Sequence, residues 1–169
     1  EGPVPVRLNA LTFEADLLAG HKTGLYLDQQ LNYRLVADLI VQSPGAQVLD
    51  CFCFQGGFAL HAAQAGAGHV HAIDQSSELV TTAARLANLN GLAERCSFEA
   101  ANVFDWMKAQ TAPQPNQKLT PRFDAIVLDP PSFTRTRASV PDALRGYKEI
   151  HLRALKLLRP GGILATFCC

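Results

Sequence analysis

Three carboxylates and one pair of glycines are spaced in this chain as a nucleoside-type cofactor site would need them. Asp50 closes the apolar run Val48-Leu49, Gly56-Gly57 opens the segment after it, and Asp74 ends a second apolar run seventeen residues beyond Gly57. A buried strand, a glycine turn, a helix and a second strand ending in a carboxylate is how an α/β sheet builds a nucleoside pocket. The glycines would let backbone pass close to a ligand, and Asp74 could accept both ribose hydroxyls. The dinucleotide pattern Gly-x-Gly-x-x-Gly, which carries a pyrophosphate on a helix N-terminus, is absent, and Asp50 would repel one. A cationic, phosphate-free donor such as S-adenosylmethionine suits these residues better than NAD. The competing reading is packing, with the glycines easing strand-to-helix contact and Asp74 capping the next helix.

The third carboxylate opens Asp129-Pro130-Pro131-Ser132-Phe133, directly after the apolar run Phe123 to Leu128. Ligands of open α/β sheets bind at the carboxyl ends of strands, so this turn should face the crevice of Gly56 and Asp74. Paired prolines hold the backbone extended and stiff. Asp129 could accept a hydrogen bond from an exocyclic amine, and Phe133 could stack on a base. With the glycine turn and Asp74, the motif points to a nucleobase methyltransferase; alone it could be an ordinary rigid turn.

The elements that must position these groups alternate along the chain. Short extended pieces at Val6 to Leu8 and Leu11 to Phe13, split by Asn9-Ala10, suggest a hairpin. Leu31, Leu35, Val36, Leu39 and Ile40 recur at helical spacing until Ser43-Pro44-Gly45 stops the helix. Strand-like runs at Gln47 to Phe52, His69 to Ile73, Ser97 to Ala100, Phe123 to Leu128 and Ile163 to Phe167 then alternate with helical patterns. Those helices fall near Phe58 to Ala65, Ser77 to Asn88, Val103 to Ala109 and Pro141 to Leu158. The pattern predicts an α/β fold, a Rossmann-like, mostly parallel sheet with helices on both faces, preceded by a short β-hairpin. Residues 1–20 read as the hairpin and linker region and 21–169 as the larger domain. The Pro-, Gln- and Asn-rich stretch from Thr111 to Pro121 reads as a surface loop.

With 169 residues, 48% apolar content and zero formal net charge, the chain reads as one globular domain able to bury a core. No apolar run reaches the roughly 18 residues of a membrane span, and Glu1-Gly2-Pro3-Val4-Pro5 has no signal pattern. Cys51, Cys53, Cys96, Cys168 and Cys169 form neither a disulfide framework nor a zinc spacing. The five histidines are scattered without metal spacing. A reducing cytoplasm, no metal and no membrane are the expectations. The chain stops after an apolar strand where such a sheet usually continues, so the expectation is a portion of a longer protein, with its C-terminal strands missing.

Further segments carry a resemblance. Lys22-Thr23-Gly24-Leu25-Tyr26-Leu27-Asp28-Gln29, the turn from Asp50 to Phe58, Asn88-Leu89-Asn90-Gly91-Leu92, Asp129 to Phe133, and Leu144-Arg145-Gly146-Tyr147-Lys148-Glu149-Ile150 together resemble the bacterial large-subunit ribosomal RNA cytosine-5 methyltransferases. Leu157-Leu158-Arg159-Pro160-Gly161-Gly162 and Thr166-Phe167-Cys168-Cys169 extend the resemblance over nearly the whole chain. It implies a class I core dependent on S-adenosylmethionine and large-subunit (23S) ribosomal RNA as partner, and it leaves the oligomeric state open, a dimer included. Asp50, Phe52, Gly56 and Gly57 would hold the methionine end. Asp74 would take the ribose, with Gln75, Asn102, Val103, Tyr26, Asp28 and Gln29 completing the cofactor site and Asp129 meeting the target base. Asn102 stands where the family usually has Asp, leaving an uncharged amide oxygen to accept from adenine.

The resemblance also implies a nucleophile. Carbon 5 of cytosine becomes electron-rich only when a cysteine thiolate adds at carbon 6, so the thiol must be accessible and partly ionised. Cys169 matches the family cysteine, and alternation would turn Cys168 to the opposite face. Ser132 stands where other cytosine-5 RNA methyltransferases carry a second cysteine. Pro130, Pro131, Ser132 and Phe133 would form the base pocket. From Ser132 to Arg159 there are seven Lys or Arg against two acids, and Arg135 and Arg137 beside that pocket are candidates for RNA phosphates. Two rivals remain: methylation of a guanine or adenine nitrogen, which also uses Asp-Pro-Pro turns, and a Rossmann-like binding module without catalysis.

Overall fold

The computed structural model describes residues 2–16, 25–113, 119–134 and 136–168. Its main sheet has five parallel strands in the order β5-β4-β3-β6-β7: β3 (Gln47–Cys51), β4 (His69–Asp74), β5 (Cys96–Ala100), β6 (Phe123–Leu128) and β7 (Leu158–Thr166). The chain builds outward from β3 through β4 to β5, then crosses back to lay β6 on the other side of β3. That reversal opens a crevice above the carboxyl ends of β3 and β6, because the connections leaving the two strands diverge to opposite sides.

Helices cover both faces, as the doubly apolar strands require. On one face α1 (Gln30–Ile40), α2 (Gly57–Gln64) and α3 (Ser77–Leu89) pack on Val48, Val70, Ala72, Ala125 and Val127. On the other, α4 (Val103–Gln110) and α5 (Val140–Leu157) pack on Leu49, Cys51, Ile73, Ile126 and Leu128. The strict alternation within β3 matters for the site. Asp50 shares the face of Val48 and therefore points towards α2.

The hairpin forms as its pattern suggests, with β1 (Val4–Leu8) antiparallel to β2 (Leu11–Ala15) and Asn9 at φ 55° in the two-residue turn. Asn and left-handed backbone go together in such turns. Leu8, Leu11 and Phe13 join the core beneath α1 and α2, and Asn90 at the end of α3 ties the hairpin down by bonding both the N–H and the C=O of Thr12 at 2.8 Å.

Two sequence expectations shift. In α1 the buried stripe is Tyr33, Val36, Ala37 and Ile40, whereas Leu31, Leu35 and Leu39 lie exposed. Tyr33 takes the inner face because its ring packs edge-on to Phe58 and stacks on His61. At the C-terminal end, α5 passes into β7 without a loop. Leu158 pairs with Phe123 and Ile163 with Ala125, so Arg159 to Gly162 form a bulge rather than a turn before the strand. Gly161 at φ 78° permits that bulge. Of the expected surface loop, residues 114–118 lie outside the described residues.

Candidate functional site

A hollow of about 560 Å³ opens at the carboxyl ends of β3, β4 and β6, within the size range of small-ligand sites. Its floor and one wall come from the turn after β3. Phe52 and Phe54 adopt φ 65° and 52° there, and Gly56 follows at φ 80°. Left-handed backbone is costly for a bulky residue and persists only where the surroundings impose it. Phe52, Cys53, Phe54, Gly57 and Phe58 all line the hollow.

The glycines act on neighbouring side chains more than on open space. A Cβ on Gly57 would sit 2.5 Å from the Tyr33 ring, and one on Gly56 would press on Phe98 and Ala83 at 3.3 and 3.4 Å. Gly56 lies outside the lining altogether. Its task is to start α2 in tight contact with α3 and β5.

Asp50 departs from the expectation of a ligand-facing acid. It is completely buried beneath the hollow, where Oδ2 accepts the Ala59 N–H at 3.0 Å. Burial pushes its carboxyl up to about 7, the Ala59 amide opposes that, and Asp129 and Asp74 add to it. Strand alternation is the reason, since Asp50 faces α2 with Val48. Oδ1 has no partner among the described residues.

Asp74 does face the hollow. Its Oδ2 accepts from Phe54 N–H and its Oδ1 from Ser76 N–H, both at 3.0 Å. Each oxygen keeps a second lone pair for a ligand hydroxyl. The cap of α3 is Ser76, whose Oγ accepts from Leu79 N–H. Beside Asp74, Gln75 and the start of α4, Asn102, Val103 and Phe104, continue the wall. Asn102 behaves differently from expectation. Its Oδ1 caps α4, accepting from Phe104 and Asp105 N–H at 2.9 and 3.3 Å. What it has left to offer is the NH2, a donor.

The opposite wall holds Tyr26, Asp28, Gln29 and Tyr33, with Asp129, Pro130, Pro131, Ser132 and Phe133 completing the rim. Burial first, then Asp28, pushes the Asp129 carboxyl up to about 6. Phe133 is not a free stacking platform, because its ring packs on Tyr147 at 4.4 Å, Phe104 at 5.4 Å and Phe52 at 6.3 Å. Gly146 on α5 makes room for that packing, since a Cβ there would lie 3.3 Å from the Phe133 ring. Arg137 sits exposed outside the lining, and Arg135 lies outside the described residues.

The thiols divide clearly. Cys53 lines the hollow, but burial, followed by Asp50 and Asp74, pushes it well above the ordinary range; burial and Asp50 do the same to Cys51. Neither supplies a thiolate. The Phe167 N–H donates to Leu128 C=O at 2.9 Å, so β7 leaves the sheet beside the Asp129 turn, and Cys168 there is exposed. Cys169, the expected nucleophile, lies outside the described residues, as do Lys22, Thr23 and Gly24.

Asp28, Asp74 and Asp129 line this hollow, and among the described residues no Lys, Arg or His does. Three carboxylates lining one hollow repel a pyrophosphate and attract a cation. The aromatic walls offer apolar faces for a heterocycle. An adenosine joined to a sulfonium and an amine fits this donor set; a dinucleotide does not. Tyr33, Cys53, Phe54, Phe58 and Phe104 were missed by the sequence reading. Phe54 and Phe58 could have been taken from the glycine turn itself, whereas Tyr33 and Phe104 arrive from distant helices.

A model of the S-adenosylmethionine-dependent methyltransferases matches residues 4–169. The ribosomal RNA large subunit methyltransferase I of Shewanella denitrificans is 39% identical over 168 residues, which are 99% of this chain and 40% of that protein. The protein of the same name from Photobacterium profundum is 35% identical over 167 residues, again 40% of its length. The chain thus spans about 40% of the curated relatives it matches. Among solved structures, a SAM-dependent methyltransferase from Agrobacterium tumefaciens superposes with a TM-score of 0.81 at 20% identity, covering 100% of this chain and 54% of that one. A Pyrococcus abyssi tRNA (uracil-54, C5)-methyltransferase gives 0.58 at 19% identity, over 94% and 38%. These two likenesses establish the fold.

Proposed function

Because the chain belongs to the S-adenosylmethionine-dependent methyltransferase family, we propose that it methylates carbon 5 of a cytosine in large-subunit ribosomal RNA. The observation that carries this reading is the trio of carboxylates lining the hollow, Asp28, Asp74 and Asp129, set beside the Asp129-Pro130-Pro131 rim. The name shared by the curated relatives supports the RNA. The choice of carbon 5 rests on the sequence resemblance around Cys169.

S-adenosylmethionine, when bound, would supply a methyl group on a positively charged sulfur, and as that methyl–sulfur bond breaks its electron pair stays on sulfur to leave a neutral thioether. Asp74 takes the ribose hydroxyls on its spare lone pairs, and the Asn102 NH2 donates to a ring nitrogen of adenine. Phe52 and Phe104 exclude water from the heterocycle. Asp129 accepts from the 4-amino group of the target cytosine, which holds the ring edge-on to the rim. The Cys169 thiolate adds to carbon 6, and the displaced π electrons let carbon 5 take the methyl group. A base then removes the carbon 5 proton, the double bond re-forms, and the carbon–sulfur bond breaks to return the thiolate.

RNA carrying 5-fluorocytosine tests the scheme, because fluorine cannot leave as a proton. Incubation with cofactor should trap a covalent protein–RNA adduct that Cys169→Ser abolishes and Cys168→Ser retains. Methyl transfer that survives Cys169→Ser, with no adduct, would move the assignment to a base nitrogen.

A further inference from the structure

Asp129 is held by a two-step chain of hydrogen bonds that starts on α1. Asn32 Nδ2 donates to Gln29 Oε1 at 2.6 Å, and Gln29 Nε2 donates to Asp129 Oδ2 at 3.1 Å. The first bond decides the second. With its carbonyl engaged by Asn32, the Gln29 amide can present only its NH2 edge to the carboxylate. One oxygen of Asp129 is thereby occupied, and Oδ1 carries no side-chain bond among the described residues.

The other groups around Asp129 disfavour a charge there. Asp28 adjoins Gln29 on the same segment, Asp50 lies beneath, and Tyr33 from α1 is kept neutral by burial and by Asp50, Asp129 and Asp28. Among the described residues, no Lys, Arg or His lines the hollow. The Gln29 N–H is, among the described residues, a side-chain donor set against burial and Asp28, which together push the carboxyl up to about 6. A hydrogen bond to the charged form favours that form.

Resting on the function proposed above, we infer that Asn32 and Gln29 are positioning residues for Asp129. They hold its carboxylate as an acceptor and leave Oδ1 to the amino group of the target base. An acceptor at this point favours a base edge carrying an amine over one carrying a carbonyl. Gln29 therefore acts on the base through Asp129, and its family-implied place among the cofactor ligands is the alternative outcome of the test.

Carbon-13 NMR of the Asp129 carboxyl reads its titration midpoint without cofactor or RNA. Gln29→Leu should raise that midpoint by about one pH unit, and Asn32→Ala should raise it less, with the amide spectrum away from the site unchanged. In methyl transfer, Gln29→Leu should lower kcat at pH 6.5 by roughly threefold, the fall in the ionised fraction that a one-unit rise from about 6 produces. The acid limb of the rate profile should move with the midpoint, while the S-adenosylmethionine Kd changes by less than about threefold. Unmoved midpoints in both variants overturn the inference. So does a large loss of cofactor affinity in Gln29→Leu with the midpoint unmoved, which would make Gln29 a cofactor ligand. Shifted midpoints in a protein that transfers no methyl group to RNA would instead overturn the proposed function and leave the positioning of Asp129 standing.

Discussion

Replacing Asp50 by Asn tests whether a buried carboxyl beneath the hollow makes the fold sensitive to pH. Burial first, opposed by the Ala59 amide and reinforced by Asp129 and Asp74, lifts its carboxyl from 3.8 to about 7. A folded state that binds the proton more tightly than the unfolded chain is favoured at low pH. The stabilisation is complete below the unfolded value and is lost as pH rises through the folded one. Each unit of that gap corresponds to about 1.4 kcal/mol, so between pH 5 and pH 7 the wild-type protein should lose roughly 2 kcal/mol relative to Asp50→Asn. The Asn oxygen can still accept from Ala59 N–H, and its buried NH2 adds a penalty of about 1–3 kcal/mol that does not vary with pH. Only the slope therefore matters. Asp129, raised to about 6, contributes in the same direction and in both proteins over the lower part of the range. His61 and His71, each lowered chiefly by burial, act in the opposite direction up to their unfolded value, again in both. Urea unfolding at half-unit steps from pH 5 to pH 8 gives the difference curve. Parallel curves for the two proteins would refute the burial argument.

Asp74→Ala removes the acceptor of two backbone N–H groups and, on the function proposed above, of the ribose; S-adenosylmethionine affinity measured by calorimetry should fall by at least roughly tenfold. Gly57→Ala drives a Cβ to within 2.5 Å of the Tyr33 ring, so overpacking should cost about 1–3 kcal/mol in denaturant unfolding and weaken cofactor binding as the turn shifts. Asn90→Ala frees both backbone groups of Thr12; a loss of about 1–2 kcal/mol is expected, with faster hydrogen exchange in the hairpin than in the sheet.

The site was readable from the sequence as far as its parts are local. The turn after β3, the acid ending β4 and the Asp-Pro-Pro rim after β6 each announce themselves by residue type and by an apolar run before them. Parallel topology then brings strand ends together whatever the intervening helices contain. Asp50 shows where that logic stops. Its nearness to the glycine pair suggested contact with a ligand, but the side chain follows the parity of Val48 and serves Ala59. Asn102 shows it again, since an amide at a helix start is claimed by the backbone N–H groups of that helix before any ligand arrives.

Sequence by itself determined the alternation of strand and helix, the hairpin, the family, and the acidic character of the hollow. These follow from period, turn chemistry and charge, all of which are written in consecutive residues. Tertiary structure alone decided that Asp129 is bonded by Gln29, just before α1, which Asn32 on α1 holds in turn, and that Phe133 is packed against α4 and α5. It also decided that the conspicuous glycines make room for Tyr33, Phe98 and Ala83. Each of these depends on side chains far apart in the chain meeting within a few ångströms, and spacing along a sequence carries no record of that distance.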